Sequence, residues 1–357
     1  MMQVPPPPID ATACFGNGLL KLCLDAAPTG TVTLPGAMNP LDTGNDASCT
    51  KVLSQSGGPE LCVIAAATVT VSGSLAVTGR RALVLIGSDA VNVLGTLDAS
   101  STRGGRKGAA ANDTSCVVGS NGTNDSGGGG GGAGGSFGTV GGTGGEGDHN
   151  DSAAPPGVAR GGIPGAGQAT PVVLRGGCKG TFGGDGAATD STHVGGTGGD
   201  GGGAVYLIAG NTIMVAGDIF ASGAGGAIAP GSSGQEQGGG GGGSGGMIGL
   251  DARTIQIQGR IAANGGAGAG GGSDSGGAPG SDGSTMMWNK PAPGGAGDKN
   301  ARGDGGSGAD GSTVNMATNL LGGVGVAGGG GAAGGLGLVW TWGSVTGSMI
   351  SPTPVVH

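Results

Sequence analysis

Apolar and polar residues alternate around a single glycine at four places along the chain. Residues two and four positions before and after that glycine are apolar, and most residues between them are small or polar. An apolar residue at every second position predicts a β-strand with one buried face, and the glycine indicates a bend between two short strands. The copies are Val69–Val77, Val91–Ala99, Ile213–Ala221 and Ile255–Ala263, centred on Gly73, Gly95, Gly217 and Gly259.

A further apolar segment precedes each copy and predicts one more strand. These segments are Cys62–Ile64, Leu83–Ile86, Ala204–Ile208 and Met247–Leu250. Three short strands with two tight corners are typical of one coil of a parallel β-solenoid, in which the copies stack. The alternative is a β-sandwich of separate hairpins, but its Asn-Gly and Asp-Gly turns do not fall between the strands. Leu336–Trp342 is predicted to be a terminal rung or a cap.

Glycine accounts for 95 of the 357 residues and occurs in blocks. Ordering a glycine backbone costs about 1–2 kcal/mol per residue with no side chain to offset it, so the blocks can be read as mobile loops. Their nearly pure Gly, Ala, Ser and Thr composition instead favours extended polyglycine II helices that pack side by side. The predicted fold class is all-β, a parallel β-solenoid with packed polyglycine II (glycine-rich) helices. The blocks are Gly127–Gly145, Gly195–Gly203, Gly238–Gly246, Gly265–Gly277 and Gly322–Gly335.

Six cysteines without the spacing of a zinc site predict disulfides and an oxidising compartment. Sequential pairing is preferred, although the sequence permits other pairings: Cys14–Cys23, Cys49–Cys62 and Cys116–Cys178. The cysteines also help to divide the chain into a Pro-rich spacer over 1–8, a Cys-containing N-terminal cap over 9–60 and a glycine-rich β-solenoid with Gly-block insertions over 61–357. The start lacks the basic and apolar stretches of a signal peptide, so we interpret it as a trimmed form from which a signal or lipid-anchored segment was removed.

Charge and run lengths exclude several classes of protein. The chain has 23 acidic and 15 basic residues, a net charge of −8, whereas nucleic-acid binding requires a basic surface. The longest apolar run, Leu61–Val71, is shorter than the span of about 20 residues that crosses a membrane. Glycine does not recur strictly at every third residue, as collagen requires.

No pattern predicts a catalytic, cofactor-binding or metal site. His149 and His193 lie in polar stretches away from any triad or metal-ligand motif. The tripeptide Arg302–Asp304 spells an integrin-type motif that is expected by chance in such a composition. Four aspartates lie in glycine-rich runs, but the repeated nonapeptide of calcium-binding proteins is absent. They are Asp185, Asp200, Asp304 and Asp310.

Charged residues close to the repeats are the remaining candidates for chemistry on a polysaccharide. Asp218, Asp251, Arg253 and Arg260 lie within or beside the repeated strands. Asp218 and Arg260 both follow a central glycine, so stacked copies would place them side by side. An ordinary ion pair between neighbouring strands, worth about 0.2–1 kcal/mol, explains them better than catalysis does.

Several short segments follow one another along the chain in a recognisable order: Cys14, Gly18–Cys23, Pro28–Leu34, Gly176–Cys178, Gly201–Ala209, Gly242–Ile248 and Ala263–Gly266. In this order they resemble glycine-rich exported proteins of myxobacteria. The resemblance extends over nearly the whole chain and implies a cell-surface or secreted location, with little chemistry. The glycine blocks are also similar in kind to the polyglycine II sandwiches of phage tail-tip adhesins and of a glycine-rich antifreeze protein.

The sequence therefore predicts a non-catalytic extracellular structural or adhesive surface protein with a rigid glycine-rich scaffold. Glycine-block edges and Trp288 would face partners, while Trp340 and Trp342 are better explained as a cap. The alternative is a glycan-binding or polysaccharide-active β-helix protein. An ice-binding surface ranks third, because Thr68, Thr70 and Thr96 are too few for it. Surface glycans or other cell-envelope proteins are the expected partners, self-association is left open, and no enzyme activity, cofactor, nucleic acid or membrane span is expected.

Overall fold

The computed structural model describes residues 13–36, 39–148, 158–170, 172–186, 195–228, 236–273, 277–283, 288–299, 306–308, 311–313 and 320–357. The Pro-rich spacer over 1–8 lies outside these residues. The described chain is all-β, with a single short 3-10 turn at Asp46–Ser48. Its strands are β1 (Ala13–Phe15), β2 (Leu22–Leu24), β3 (Thr31–Leu34), β4 (Leu41–Asp42), β5 (Lys51–Leu53), β6 (Leu61–Val71), β7 (Ser74–Thr78), β8 (Ala82–Val93), β9 (Thr96–Asp98), β10 (Ala204–Ala209), β11 (Thr212–Val215), β12 (Asp218–Phe220), β13 (Met247–Ile257), β14 (Ile261–Ala262), β15 (Leu338–Thr346), β16 (Ile350–Ser351) and β17 (Val355–Val356).

Most strands belong to two sheets that are largely parallel. The nine-stranded sheet has the order β17-β15-β13-β10-β8-β6-β3, with β11 beside β13 and β8 and with β5 beside β6. The six-stranded sheet has the order β16-β14-β12-β9-β7-β4. Because β3 pairs with β6 and β4 with β7, these two strands of the expected N-terminal cap extend one sheet each. The strand predicted at the end of the chain is present as β15, which pairs with β13.

The register of the parallel strands follows the four sequence copies. Val69 pairs with Val91, Val91 with Ile213, and Ile213 with Ile255. These residues hold the same position before the central glycine in each copy, so the repeat correctly predicts which residues are neighbours. Matching positions in every copy place matching apolar side chains on one face of the sheet.

The expected parallel β-solenoid is wrong. Four strands instead close a parallel ring, because β8 pairs with β10, β10 with β13, β13 with β11 and β11 with β8. The other strands of the nine-stranded sheet are added to this ring. The first predicted corner does not form in three copies, because β6, β8 and β13 each run through it as one long strand. Only the third copy breaks, at 210–211, and both of its pieces pair with the long strands on either side.

Two apolar cores lie on opposite faces of the nine-stranded sheet. One lies between the two sheets and contains the alternating residues of the repeat, such as Val71, Leu97 and Ile219. The other covers the outer face of the larger sheet, where Tyr206 packs with Trp340. A strand buried on both faces reads as a continuous apolar run, which explains the uniformly apolar segment that precedes each copy.

The hairpin of β1 and β2 covers this outer core. The Asp251 carboxylate of β13 accepts hydrogen bonds from the backbone N–H groups of Asn17 and Gly18, at 2.6 and 2.8 Å. The backbone N–H of Leu19 donates to the Tyr206 hydroxyl at 3.2 Å. A Cβ on Gly18 would lie 2.1 Å from the Trp342 ring, so the hairpin lies directly on that tryptophan.

This buried hydroxyl predicts a loss of stability in alkali. Burial, reinforced by the Asp251 charge, raises the pKa of Tyr206, so the unfolded chain ionises first, near pH 10. The stabilising effect is complete below that pH and declines above it, by about 1.4 kcal/mol per pH unit for one proton. We expect Tyr206→Phe to remove this slope in urea titrations at pH about 9 to about 11. Since Tyr206 is the chain's one tyrosine, absorbance at 295 nm provides a direct control, and phenolate formation near pH 10 in the folded protein would contradict the prediction.

Glycine segments fill the space beside the sheets, and their hydrogen bonds repeat every three residues. In the central segment, residues 238–246, the N–H groups of Gly238, Gly241 and Ser244 donate to one neighbouring segment, residues 178–184. The next residue of each triplet donates to 329–335, and the third donates to 221–227. Carbonyl groups of the central segment accept from three further segments, at 129–135, 196–202 and 266–272.

Six neighbours therefore surround this one segment. A repeat of three residues with hydrogen bonds directed only to other segments is the pattern of an extended helix with three residues per turn. Satisfying nearly all backbone groups is the condition under which such glycines can be ordered, since each hydrogen bond contributes a net ~0.5–1.5 kcal/mol. The reading of these blocks as mobile loops is not compatible with this bonding, whereas their polyglycine II geometry stays a prediction.

The three predicted disulfides are present, with sequential pairing. Cys14–Cys23 joins β1 to β2, and Cys49–Cys62 ties the start of β5 to β6. Cys116–Cys178 closes the longest of the three loops, with a sequence separation of 62 residues. Within the described part of the chain, no helix has the length and apolar character needed to cross a lipid bilayer.

Candidate functional site

The charged residues singled out beside the repeats do not form a common site. Arg260 donates to both carboxylate oxygens of Asp218, through Nε at 2.9 Å and Nη2 at 2.6 Å, which confirms the predicted ion pair. The carboxylate raises the pKa of Arg260 and keeps it charged. Asp251 is buried under the N-terminal hairpin, whereas Arg253 on the same strand is exposed. Asp218, Asp251 and Arg260 therefore make contacts within the fold, and Arg253 lies apart from them.

The aspartates of the glycine-rich runs are also separated. Asp200 accepts a hydrogen bond from the Asn112 side chain at 2.7 Å, and Asp185 is buried in another glycine segment. His149, His193, Arg302–Asp304 and Asp310 lie outside the described residues. Across the ranges that the structure describes, no group of three or more His, Cys, Asp or Glu side chains is arranged to hold a metal ion.

The three tryptophans lie in two separate places, and the solenoid that Trp340 and Trp342 were expected to cap is not formed. Trp340 is buried in the outer core, and its ring lies 5.4 Å from that of Trp342. The His357 ring stacks on Trp342 at 5.1 Å, and Gly18 of the hairpin between β1 and β2 lies against the same tryptophan. Trp288 lies apart from this cluster, and its carbonyl oxygen accepts from the Asn264 amide at 3.0 Å.

A groove on the surface of the glycine segments is the best candidate for a binding site. Three adjoining cavities of about 530, 370 and 450 Å³ form it. Asn112, Asp113 and Thr114 border both the first and the second cavity, and Lys179 borders both the second and the third. We call this surface the cationic groove. Its defining residues are Arg80, Arg103, Lys107, Asn112, Asn121, Lys179 and Phe182.

A well-anchored loop after β9 forms one wall of the cationic groove. The Arg103 N–H donates to the Asp282 carboxylate at 2.8 Å, and the Arg106 guanidinium is paired with Asp98. Asn112 adopts a left-handed backbone with φ of 58°, a conformation that asparagine tolerates better than most residues. Its side chain bonds to Asp200 and accepts from the Gly201 N–H at 2.9 Å, which fixes the loop to the opposite wall.

The electrostatic balance in the groove is opposite to that of the whole chain. Four cations line its three cavities together with two carboxylates, Asp113 and Asp200. Both carboxylates already accept hydrogen bonds, from Ser115 and from Asn112. Lys179 Nζ lies 5.2 Å from the centre of the Phe182 ring, a cation–π contact that holds both side chains at the groove surface.

Sequence reasoning did not single out the cationic groove. One signal was available, because Arg103, Arg106 and Lys107 are three cations within five residues of a chain in which only 11% of residues are charged. The other contributors come from distant positions: Arg80 follows β7 and Lys179 follows the long disulfide. These residues come together only because particular glycine segments pack beside one another. No local sequence pattern predicts which segments become neighbours.

Comparison with known proteins gives no match. No protein-family model matches the chain, and no curated protein or solved structure is significantly similar to it.

Proposed function

We propose that this chain is a non-catalytic structural or adhesive protein of the extracellular surface. The observation that carries the proposal is the glycine core, in which one segment is hydrogen-bonded to six others. Such a core is stiff because moving one segment breaks bonds on several sides at once. A stiff body that keeps its shape outside the cell suits a scaffold that presents side chains to other surfaces.

The outermost glycine segments supply an adhesive surface. Several carry apolar side chains that face water, with Val118 73% exposed, Ile163 65% and Val172 80%. Exposed apolar side chains on a rigid support are typical of interaction surfaces. The three disulfides and the lack of a membrane-spanning helix among the described residues are compatible with an extracellular location.

The test has one arm for location and one for adhesion. Antibodies raised against the folded chain are expected to label intact producer cells or the culture supernatant, and staining that requires permeabilisation would contradict the proposal. Beads coated with the folded chain are expected to be retained under flow on alkylated glass, whereas beads coated with the reduced, unfolded chain serve as the control. Equal retention of both kinds of bead would remove the adhesive part of the proposal.

Glycan binding is a second candidate function, because the cationic groove offers charged, amide and aromatic side chains together. Such a set can hold a sugar chain without altering it. This candidate agrees with a surface protein that attaches to cell-envelope polysaccharides.

A further inference from the structure

We propose that the cationic groove binds an acidic polysaccharide, a polymer that carries carboxylate or sulfate groups along a chain of sugar rings. The inference rests on the proposed surface function and names the class of partner for it. The argument depends on the charge, the shape and the chemical variety of the groove.

Charge identifies the ligand as anionic. Arg103, Lys107 and Lys179 form no salt bridge in the described part of the chain, while Arg80 lies 3.5 Å from Glu60. Arg103 and Lys107 are exposed, so they are available to a ligand. A chain with a net charge of −8 repels a polyanion over most of its surface. The local excess of cations makes the cationic groove the place where a polyanion would be attracted.

The shape of the groove favours a polymer. The second cavity shares Asn112 with the first and Lys179 with the third, so the three spaces form one track rather than isolated holes. A fourth cavity of about 250 Å³ continues from Asn121 and Phe182, and its lining adds one carboxylate, Asp185. A single sulfate or carboxylate would occupy only part of this track, whereas linked sugar rings can occupy several cavities in turn.

The remaining side chains fit sugars better than other anions. The side-chain oxygens of Asn121 and Asn124 accept from the backbone N–H groups of Phe182 and Asp185, which leaves the two NH2 groups to donate to sugar hydroxyl groups. The hydroxyls of Thr102 and Thr114 can also form hydrogen bonds with a sugar. Phe182 is half-buried, and its ring offers an apolar surface to the C–H face of a sugar. Because the anchored Asn112 loop fixes one wall, little ordering is needed when a ligand binds.

The experiment measures binding of polygalacturonate and chondroitin sulfate to the full oxidised chain by calorimetry, with neutral dextran and polyglutamate as comparison polymers. The test variant is Arg103→Ala/Lys107→Ala/Lys179→Ala. Its matched control is Arg253→Ala/Lys290→Ala/Lys299→Ala, which removes the same charge from exposed residues that do not line the groove. Unchanged near-ultraviolet circular dichroism and melting temperature establish that each variant is folded.

We expect the groove variant to weaken binding of at least one acidic polysaccharide by about tenfold or more, and the control to change it by less than about twofold. Phe182→Leu is expected to weaken the polysaccharide but not polyglutamate. Equal losses in the two triple variants, polyglutamate binding as tightly as the polysaccharides, or no binding of any acidic polysaccharide would each overturn the proposal. Antibody labelling of intact cells is independent of this result, so failure of the groove proposal and failure of the surface function remain distinguishable.

Discussion

Gly241→Ala is expected to destabilise the folded protein by about 3 kcal/mol or more, the upper end of the range for overpacking. Gly241 lies in the middle of the central segment, and a Cβ there would be 2.0 Å from the carbonyl oxygen of Ala133 and 2.4 Å from its carbonyl carbon. The obstacle is backbone, so no rotamer change can relieve it. Moving residue 133 would also strain its hydrogen bond from the Thr181 N–H, at 2.8 Å.

Chemical denaturation and amide exchange would measure this effect. A matched control is Gly105→Ala, at an exposed position where the new Cβ meets only the Thr102 hydroxyl, at 2.9 Å. We expect the control to stay within about 1 kcal/mol of the wild type. In the wild type, amides over 238–246 should exchange slowly, and Gly241→Ala should accelerate them. If the two variants were equally stable, or if these amides exchanged within seconds in the wild type, tight packing of the glycine segments would be refuted.

The repeat in the sequence identified the neighbours in the sheets because strand pairing depends on alternation. Val69, Val91 and Ile213 occupy the same place in their copies, and a slip of one residue would move each to the opposite face of the sheet. The corner before each copy could not be predicted correctly. The small residues at Ala66–Thr68 are compatible with a turn and with a continuous strand. In the structure the strand continues, with a shift in its pairing to β8 between Ala66 and Thr68.

The glycine core illustrates a different limit. Composition distinguished ordered segments from linkers, but every glycine looks alike, so the sequence does not specify which segments become neighbours. The structure places 178–184 beside 238–246 and so brings Lys179 to the same surface as Arg103 and Lys107. The cationic groove thus depends on long-range packing of the glycine segments. The cluster of cations at 103–107 was the one part of it that the sequence could indicate.

Removing the Cys116–Cys178 disulfide is expected to cause the second large loss of stability, because this bridge encloses many of the glycine segments in one loop. Cys178 lies in a segment next to the central one, and its N–H donates to the Ser244 hydroxyl at 2.8 Å. Arg175 Nη1 lies 3.3 Å from each sulfur of the bridge, and its guanidinium stacks on Phe137 at 4.4 Å. Burial lowers the pKa of Arg175, and Cys178 is buried beside it, whereas Cys116 is half-buried.

Cys116→Ala/Cys178→Ala is expected to lower the free energy of unfolding by about 4 kcal/mol, because the unfolded chain gains the freedom of a 62-residue loop. Cys14→Ala/Cys23→Ala removes a bridge between positions only nine residues apart and should cost about 2.5 kcal/mol by the same reasoning. Denaturant titrations of both variants and of the oxidised wild type would give these values. A smaller loss for the 116–178 pair than for the 14–23 pair would show that loop entropy does not govern the stability of the glycine core. A loss well above 4 kcal/mol would instead indicate a contribution from Arg175, because the double variant removes both sulfur atoms that its guanidinium contacts.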